Sequence, residues 1–267
     1  MLYFTILIAV VHLVRSWTRT NDLRIPGELR VANEGLSHDD TYWYMTNQHF
    51  IYQVNQNPMT IAMSNHHAIS DELIDLGYHH IGDIEVMDGV LYGGIEGGEK
   101  GVLAKWNTST LDIISYKFID EQSDVPWVTV NPNTGLLYSA TWSNVDSVHV
   151  YDTKTFEHVD IITIQNNDVY PKEIQGASFY EDYLYVATNI NDGIFKLNIT
   201  TGLAEFVLND DGNYLPDNYY YEMEGLTFWD LRSTTTTGVN NNKGYGVMHM
   251  YGNFMNARKK SIHSFDP

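Results

Sequence analysis

Short apolar, β-prone runs follow one another along most of the chain and are separated by Asp, Asn and Gly. Apolar spacing with the period of an amphipathic helix is nearly absent, and only residues 70–77, SDELIDLG, predict a short turn of helix. The clearest unit is residues 81–96, IGDIEVMDGVLYGGIE: an apolar strand, the turn Asp88-Gly89, and a second strand from Val90 through Leu91 and Tyr92 to Glu96. Asp-Gly between two apolar runs is a hairpin signal, because both residues tolerate the positive φ of a tight turn.

This hairpin recurs. Beside it stand EGLSHDDTYWYMTN (34–47), WVTVNPNTGLLYSATW (127–142), IQGASFYEDYLYVATN (174–189) and MEGLTFWD (223–230). The anchors Gly35, Gly82, Val128, Gly176 and Gly225 are spaced by 47, 46, 48 and 49 residues, the period of a four-stranded propeller blade. Each copy continues into a third strand ending on Asn or Asp, at Asn55, Asn107, Asp152, Asn198 and Asp266, before a turn toward an outer strand such as 111–118 or 156–164. Short side chains that cap their own turn belong at such a position.

The fifth copy stops at Pro267, so its outer strand must come from elsewhere. DLRIPGELRV (22–31) precedes the first copy and is expected to pair as the outer strand of the last blade, which would close the ring and protect its edges. The sequence therefore predicts an all-β fold, a five-bladed propeller in a single domain over 17–267, with six blades the alternative if 17–33 hides a degenerate one. The fifth copy carries an insertion, RSTTTTGVNNNKG (232–244), that reads as a loop.

Charge and composition narrow the partners. Against 34 Asp and Glu stand 15 Lys and Arg, a net charge of −19 that repels nucleic acid and anionic lipid surfaces. With no cysteine there is no disulfide framework, thiolate metal site or cysteine nucleophile. The apolar run FTILIAVVHLV (4–14) is too short to span a bilayer and is followed by Val14-Arg15-Ser16, so residues 1–16 read as a signal peptide of a secreted, monomeric protein. Sequons at Asn107 and Asn198 fit that route, and both fall in the turn toward the outer strand.

In a blade the start of the first strand and the end of the second meet at one face. That geometry gathers Glu34, Trp127, Gln175 and Glu224 with His80 and Asp83, and with Asn47, Glu96, Trp142, Asn189 and His249 from the second strands, at one axial mouth. Oxygen-bearing side chains from several blades suit a hard cation such as Ca²⁺, with Glu34, Asn189 and Glu224 as ligands, or satisfy only neighbours and water. Adjacent histidines on a strand face opposite sides, so His66-His67 and His79-His80 do not make a zinc pair. The Tyr-rich stretch 213–225 packs between blades or forms an aromatic lip. No GxSxG elbow, phosphate loop or dinucleotide fingerprint occurs.

The openings NEGLSHD, HIGDIEV, IQGASFY and MEGLTFW, with the hinges VYDTKTFE and LNITTGLA, resemble the broad secreted propeller superfamily of YncE-like, NHL-repeat and SMP-30/paraoxonase-like proteins. Its lactonase and arylesterase relatives hold a catalytic Ca²⁺ with a Glu at a first-strand opening and Asn or Asp from other blades. The resemblance implies that role for Glu34, with Asn189 and Glu224 as partners, but the family's full ligand set and its catalytic acid have no match. Two functions follow as expectations: a propeller binding a small molecule, glycan or protein at the mouth without chemistry, or a Ca²⁺-dependent hydrolase in which His80 or His249 relays a proton.

Overall fold

The computed structural model describes residues 17–29, 32, 34–143, 145–165, 171–189, 193–209, 221–229, 248–254 and 259–266. The expected signal segment 1–16, and the Tyr-rich stretch and the insertion for the most part, lie outside the described residues. Those described build an all-β propeller from five four-stranded antiparallel sheets.

The first described strand is β1 (Thr18–Arg24). Sheet I contains β2 (Leu36–His38), β3 (Tyr42–Thr46), β4 (Ile51–Asn55) and β5 (Ile61–Asn65); the short helix α1 (Asp71–Asp75) leads to sheet II, with β6 (His80–Met87), β7 (Val90–Glu96), β8 (Gly101–Asn107) and β9 (Ile113–Ile119). Sheet III contains β10 (Thr129–Val130), β11 (Leu136–Ser139), β12 (Ser147–Asp152) and β13 (His158–Thr163), and sheet IV contains β14 (Ile174–Tyr180), β15 (Tyr183–Thr188), β16 (Gly193–Asn198) and β17 (Ala204–Asn209). In sheet V, β18 (Tyr221–Phe228), β19 (Met248–Phe254) and β20 (Lys259–Asp266) are completed by β1.

The repeat read from the sequence is the structural repeat. Third strands end on Asn55, Asn107, Asp152, Asn198 and Asp266. The cap is visible at three of these ends: Asp152 Oδ1 accepts the N–H groups of Lys154 and Thr155, Asn198 Oδ1 those of Thr200 and Thr201, and Asn107 Oδ1 that of Ser109. The closing strand is corrected in its bounds: β1 pairs antiparallel with β20 from Thr18, opposite Asp266, to Arg24, opposite Ser261, and shares only residues 22–24 with the segment expected at 22–31. Pro26, which has no N–H to give a ladder, follows at once, and Gly27–Leu29 turn into a single 3₁₀ turn. Residues 18–24 thus belong to sheet V and do not begin a sheet of their own.

Five apolar clusters fill the five contacts between neighbouring sheets. Tyr44, Ile81 and Trp106 pack between sheets I and II, Tyr92, Val128 and Tyr151 between II and III, and Trp127, Val148 and Phe195 between III and IV. Trp17, Tyr185 and Phe265 join IV to V, and Ile262 packs with Leu36 and Trp43 to join V to I, which closes the ring. Inner and middle strands therefore bury both faces, the reason they read as nearly continuous apolar runs, whereas the outer strands β5, β9 and β13 keep exposed positions.

The sheets meet at the axis around Asp83. Its Oδ1 accepts the N–H of Leu36 in sheet I (2.8 Å), and its Oδ2 accepts those of Ala177 in sheet IV (3.0 Å) and Leu226 in sheet V (3.4 Å). Its own N–H donates to Pro126 O (2.9 Å) beside a parallel bridge to Trp127, ahead of sheet III. Four of the five repeat anchors are glycine because the inner strands approach too closely for a side chain. A Cβ on Gly35 would lie 2.7 Å from Asp83 Cα, and one on Gly176 would lie 2.5 Å from Glu224 O.

Because backbone surrounds Gly176, no rotamer change relieves that clash. Gly176→Ala is expected to lower stability by about 1–3 kcal/mol or more, whereas Gly27→Ala, whose Cβ meets nothing within 4 Å, is expected to change it by only a few tenths. Urea denaturation of both variants checks the contrast; equal midpoints would rule out the close approach.

Candidate functional site

Inner strands β6, β14 and β18 all start at one end of the axle, and this places His80, Gln175, Glu222 and Glu224 at a common mouth with Glu34, just ahead of β2. The second strands return to that end and deliver Glu96 and Asn189.

His80 stands between two carboxylates. Its Nε2 lies 3.0 Å from Glu34 Oε2 and its Nδ1 lies 3.2 Å from Glu96 Oε2. The register creates this triad, since β6 pairs His80 directly with Glu96 in β7. Burial disfavours the imidazolium, but Glu34 and Glu96 outweigh it and raise the His80 pKa to about 10. His80 is therefore a fixed cation near neutrality and a poor proton acceptor.

A second group faces it. Gln175 Nε2 (3.4 Å) and Asn189 Nδ2 (3.3 Å) donate to Glu222 Oε1, and Asn189 Oδ1 accepts the N–H of Met223 (2.9 Å). Burial raises the Glu222 pKa; contact with Glu224 and the Gln175 amide oppose it, and the charges of Glu34 and Glu173 add to it. Asp124, missing from the sequence expectations, is likewise raised by burial and by Glu96. It accepts the N–H of Trp142 (3.4 Å) and lines a polar cleft of about 270 Å³ with Glu121, Asp146 and His149. Trp142 itself is 38% exposed at this rim.

The structure thus brings Glu34, His80, Glu96, Gln175, Asn189 and Glu224 together at one mouth. It corrects three other expectations. Asp83 does not line the mouth: its carboxylate is consumed by backbone amides at the waist, where the inner strands are closest. His249 is at the wrong end, because β19 begins at Met248 after the insertion and His249 pairs with Thr227, near the far end of β18. Asn47 caps its own turn through Oδ1 to the N–H groups of His49 and Phe50. Elsewhere, His66 stacks on Phe50 and His79 Nδ1 contacts Gly77 O, both outside the mouth. Among the described residues no three His, Asp or Glu side chains converge as a metal cage, and the Asn189 oxygen a cation would need is already bound to an amide.

Besides Asp124, two acids escaped the sequence analysis. Glu222 alternates with Glu224 along β18, a spacing that puts both on one face of the strand, but the strand was expected to start at 223. Glu85 follows Asp83 by two residues on β6 and lies deep in the axle. Its Oε1 accepts Ser37 Oγ–H (3.0 Å) and its Oε2 accepts Thr129 Oγ1–H (2.9 Å) and, at 3.5 Å, Ser178 Oγ–H, so hydroxyls from sheets I, III and IV ring it. Burial raises its pKa to about 7 against the opposing pull of those donors.

Both raised groups make folding less favourable as pH rises, each in its own window. The stabilisation by His80 is complete below its unfolded pKa near 6.5 and is lost as pH climbs toward about 10, so His80→Gln is expected to cost most below pH 6.5 and nothing near pH 10.5. Glu85 opposes folding progressively from about pH 4.5 to about 7, so Glu85→Gln is expected to gain stability over wild type across that window. Thermal melts from pH 4 to pH 10.5 read both; a variant whose difference from wild type is flat in pH refutes its part.

No protein-family model matches the chain, and no curated protein matches it. Among solved structures it is similar to a glutaminyl cyclase from Myxococcus xanthus, at 9% identity and a TM-score of 0.69, over 94% of this chain and 96% of that one. A chain of a mitotic checkpoint complex is more distantly similar, at 11% identity and a TM-score of 0.46 over 94% of this chain and 66% of that one. At these identities the cyclase likeness shows the propeller fold alone.

Proposed function

We propose that the chain is a secreted, glycosylated, five-bladed propeller, one blade per sheet, that binds a positively charged ligand or partner segment at the mouth where the inner strands begin. One observation carries this reading. Glu34, Glu96, Glu222 and Glu224, from three sheets, converge there with Asp124 nearby, and His80 is the one cation that the described mouth residues set against them. Carboxylates gathered in a partly desolvated concavity focus a negative field outward and draw in cations. A net charge of −19 reinforces that field over the whole surface.

Binding without chemistry is favoured over hydrolysis because a proton relay needs a group that gives and takes a proton near neutrality. His80 is held charged and His249 pairs at the other end. Nothing in the fold likeness to a glutaminyl cyclase brings that activity to this chain.

Trp17, the residue after the expected cleavage, is buried and packs edge-on against Tyr180 and Tyr185, so a cut after Ser16 would keep this packing. Asn107 and Asn198 lie in exposed or half-exposed turns at the outer edges of sheets II and IV. Among the described residues no helix is long and apolar enough to cross a membrane.

Expression in a secreting eukaryotic host is expected to yield a protein beginning at Trp17 whose mass falls on enzymatic removal of N-glycans; intracellular retention with Met1 intact would refute secretion. For the mouth, titration calorimetry at low salt with a trilysine peptide, and separately with CaCl₂, is expected to show binding of the peptide that Glu96→Gln and Glu222→Gln each weaken roughly tenfold. Peptide affinity unchanged in both variants would refute the mouth as the site.

A further inference from the structure

The mouth is one end of the axle; the other end holds a cavity of about 130 Å³ lined by Glu85, His38, Met87, Val130, Phe179 and Phe228, with Ser178 and Thr227 at its inner wall. Asp83 and the close-packed glycines around it separate this cavity from the mouth. We propose that the cavity is a second binding site, for a small primary ammonium with a short apolar body, in which Glu85 receives the ammonium and the Phe and Met side chains receive the hydrocarbon.

Three observations on Glu85 carry this. Glu85 lies deep within the axle yet keeps accessible surface on the cavity side, unlike Asp83, which is sealed. Its hydrogen-bond complement is uneven. Oε1 has Ser37 Oγ at 3.0 Å and Val86 N at 3.2 Å, whereas Oε2 has one short donor, Thr129 Oγ1, and one long one, Ser178 Oγ at 3.5 Å, which leaves acceptor capacity on Oε2. No Lys or Arg among the described residues forms an ion pair with Glu85: the described pairs of Lys100, Lys117 and Lys196 are with Asp120, Glu157 and Glu205. Among the described residues, then, no cation compensates this half-buried carboxylate, a condition under which a cationic ligand gains affinity.

The walls select the rest of the ligand. Phe228 is stacked on Tyr180 and held edge-on to Tyr185, and Phe179 is held edge-on to Tyr138, so the two rings are rigid and lose little entropy when a ligand arrives. Aromatic rings beside an ammonium add cation–π attraction. His38, the other titratable group in the lining, faces the carbonyls of Asp39 and Phe228 and is driven toward its neutral form by burial, so it does not supply the missing charge. Of the acids near the lining, Asp83 has its oxygens bound to amides, and Asp39 and Asp40 lie beside His38. The raised pKa of Glu85 supports the same picture, because an arriving cation would drive ionisation and release a proton near neutral pH.

The probe is n-butylammonium chloride, which is protonated throughout the useful range, with n-butanol as its uncharged counterpart. Calorimetry on the full chain at pH 7 in two buffers of different ionisation enthalpy is expected to show butylammonium binding with proton release, little binding of butanol, and affinity lowered roughly tenfold or more in Glu85→Gln but unchanged in Glu157→Gln, an exposed acid paired with Lys117 outside both sites. Glu85→Gln removes a buried charge and so keeps the fold. Three results would overturn the proposal: no binding of butylammonium, equal binding by Glu85→Gln, or equal binding of butanol. Loss of binding in Glu96→Gln alone would also overturn it and assign the probe to the mouth, while failure of trilysine binding there leaves this second site standing.

Discussion

A single carboxylate accepting backbone amides from three neighbouring sheets holds the axle together. Asp83 ties sheet II to sheets I, IV and V through its oxygens and to the approach of sheet III through its own backbone. Burying it is costly, and its pKa is pushed up by that burial despite the amides it accepts. Hydrogen bonds to a charged acceptor contribute about 1.5–3 kcal/mol each, which is the scale needed to offset a desolvation cost of several kcal/mol. The inner strands must reach within hydrogen-bond distance of one point, and Gly35, Gly82, Gly176 and Gly225 make that approach sterically possible.

From this constraint comes the division of the axle. Where the strands crowd Asp83 there is no room for a passage, so the two ends become separate environments. One end is polar and strongly acidic: His80 is clamped between Glu34 and Glu96, and Glu222 is held by the amides of Gln175 and Asn189. The other is walled by Met87, Val130, Phe179 and Phe228, with Glu85 at its base. Similar residue types thus do different work according to depth. Glu96 and Glu222 stand at the more open, acidic end, while Glu85 keeps a hydroxyl ring and has its pKa raised by burial to about 7.

Much of this was legible in the chain itself. The spacing of the hairpins, the Asn or Asp at each third-strand end, and the need for an N-terminal strand in the last sheet all follow from local rules: turn chemistry, strand periodicity and the avoidance of open edges. The set Glu34, His80, Glu96, Gln175, Asn189 and Glu224 was recoverable because a repeat converts sequence positions into spatial neighbours. His249 was misplaced for the same reason in reverse, since an insertion shifts the register of β19 and repeat arithmetic does not see it. The bulge between Ile81 and Ile84 similarly turns Asp83 from the rim into the axle.

What the sequence determined on its own was the sheet content, the repeat and which strand ends share a face, because each depends on neighbours close along the chain. The tertiary structure alone decided that Asp83 is a clamp, that His80 is charged, and that Glu85 sits among Ser37, Thr129 and Ser178 from three other sheets. Those outcomes depend on distances across the axis and on how much water each carboxylate retains, quantities set only when residues far apart in the chain are brought within a few ångströms of one another.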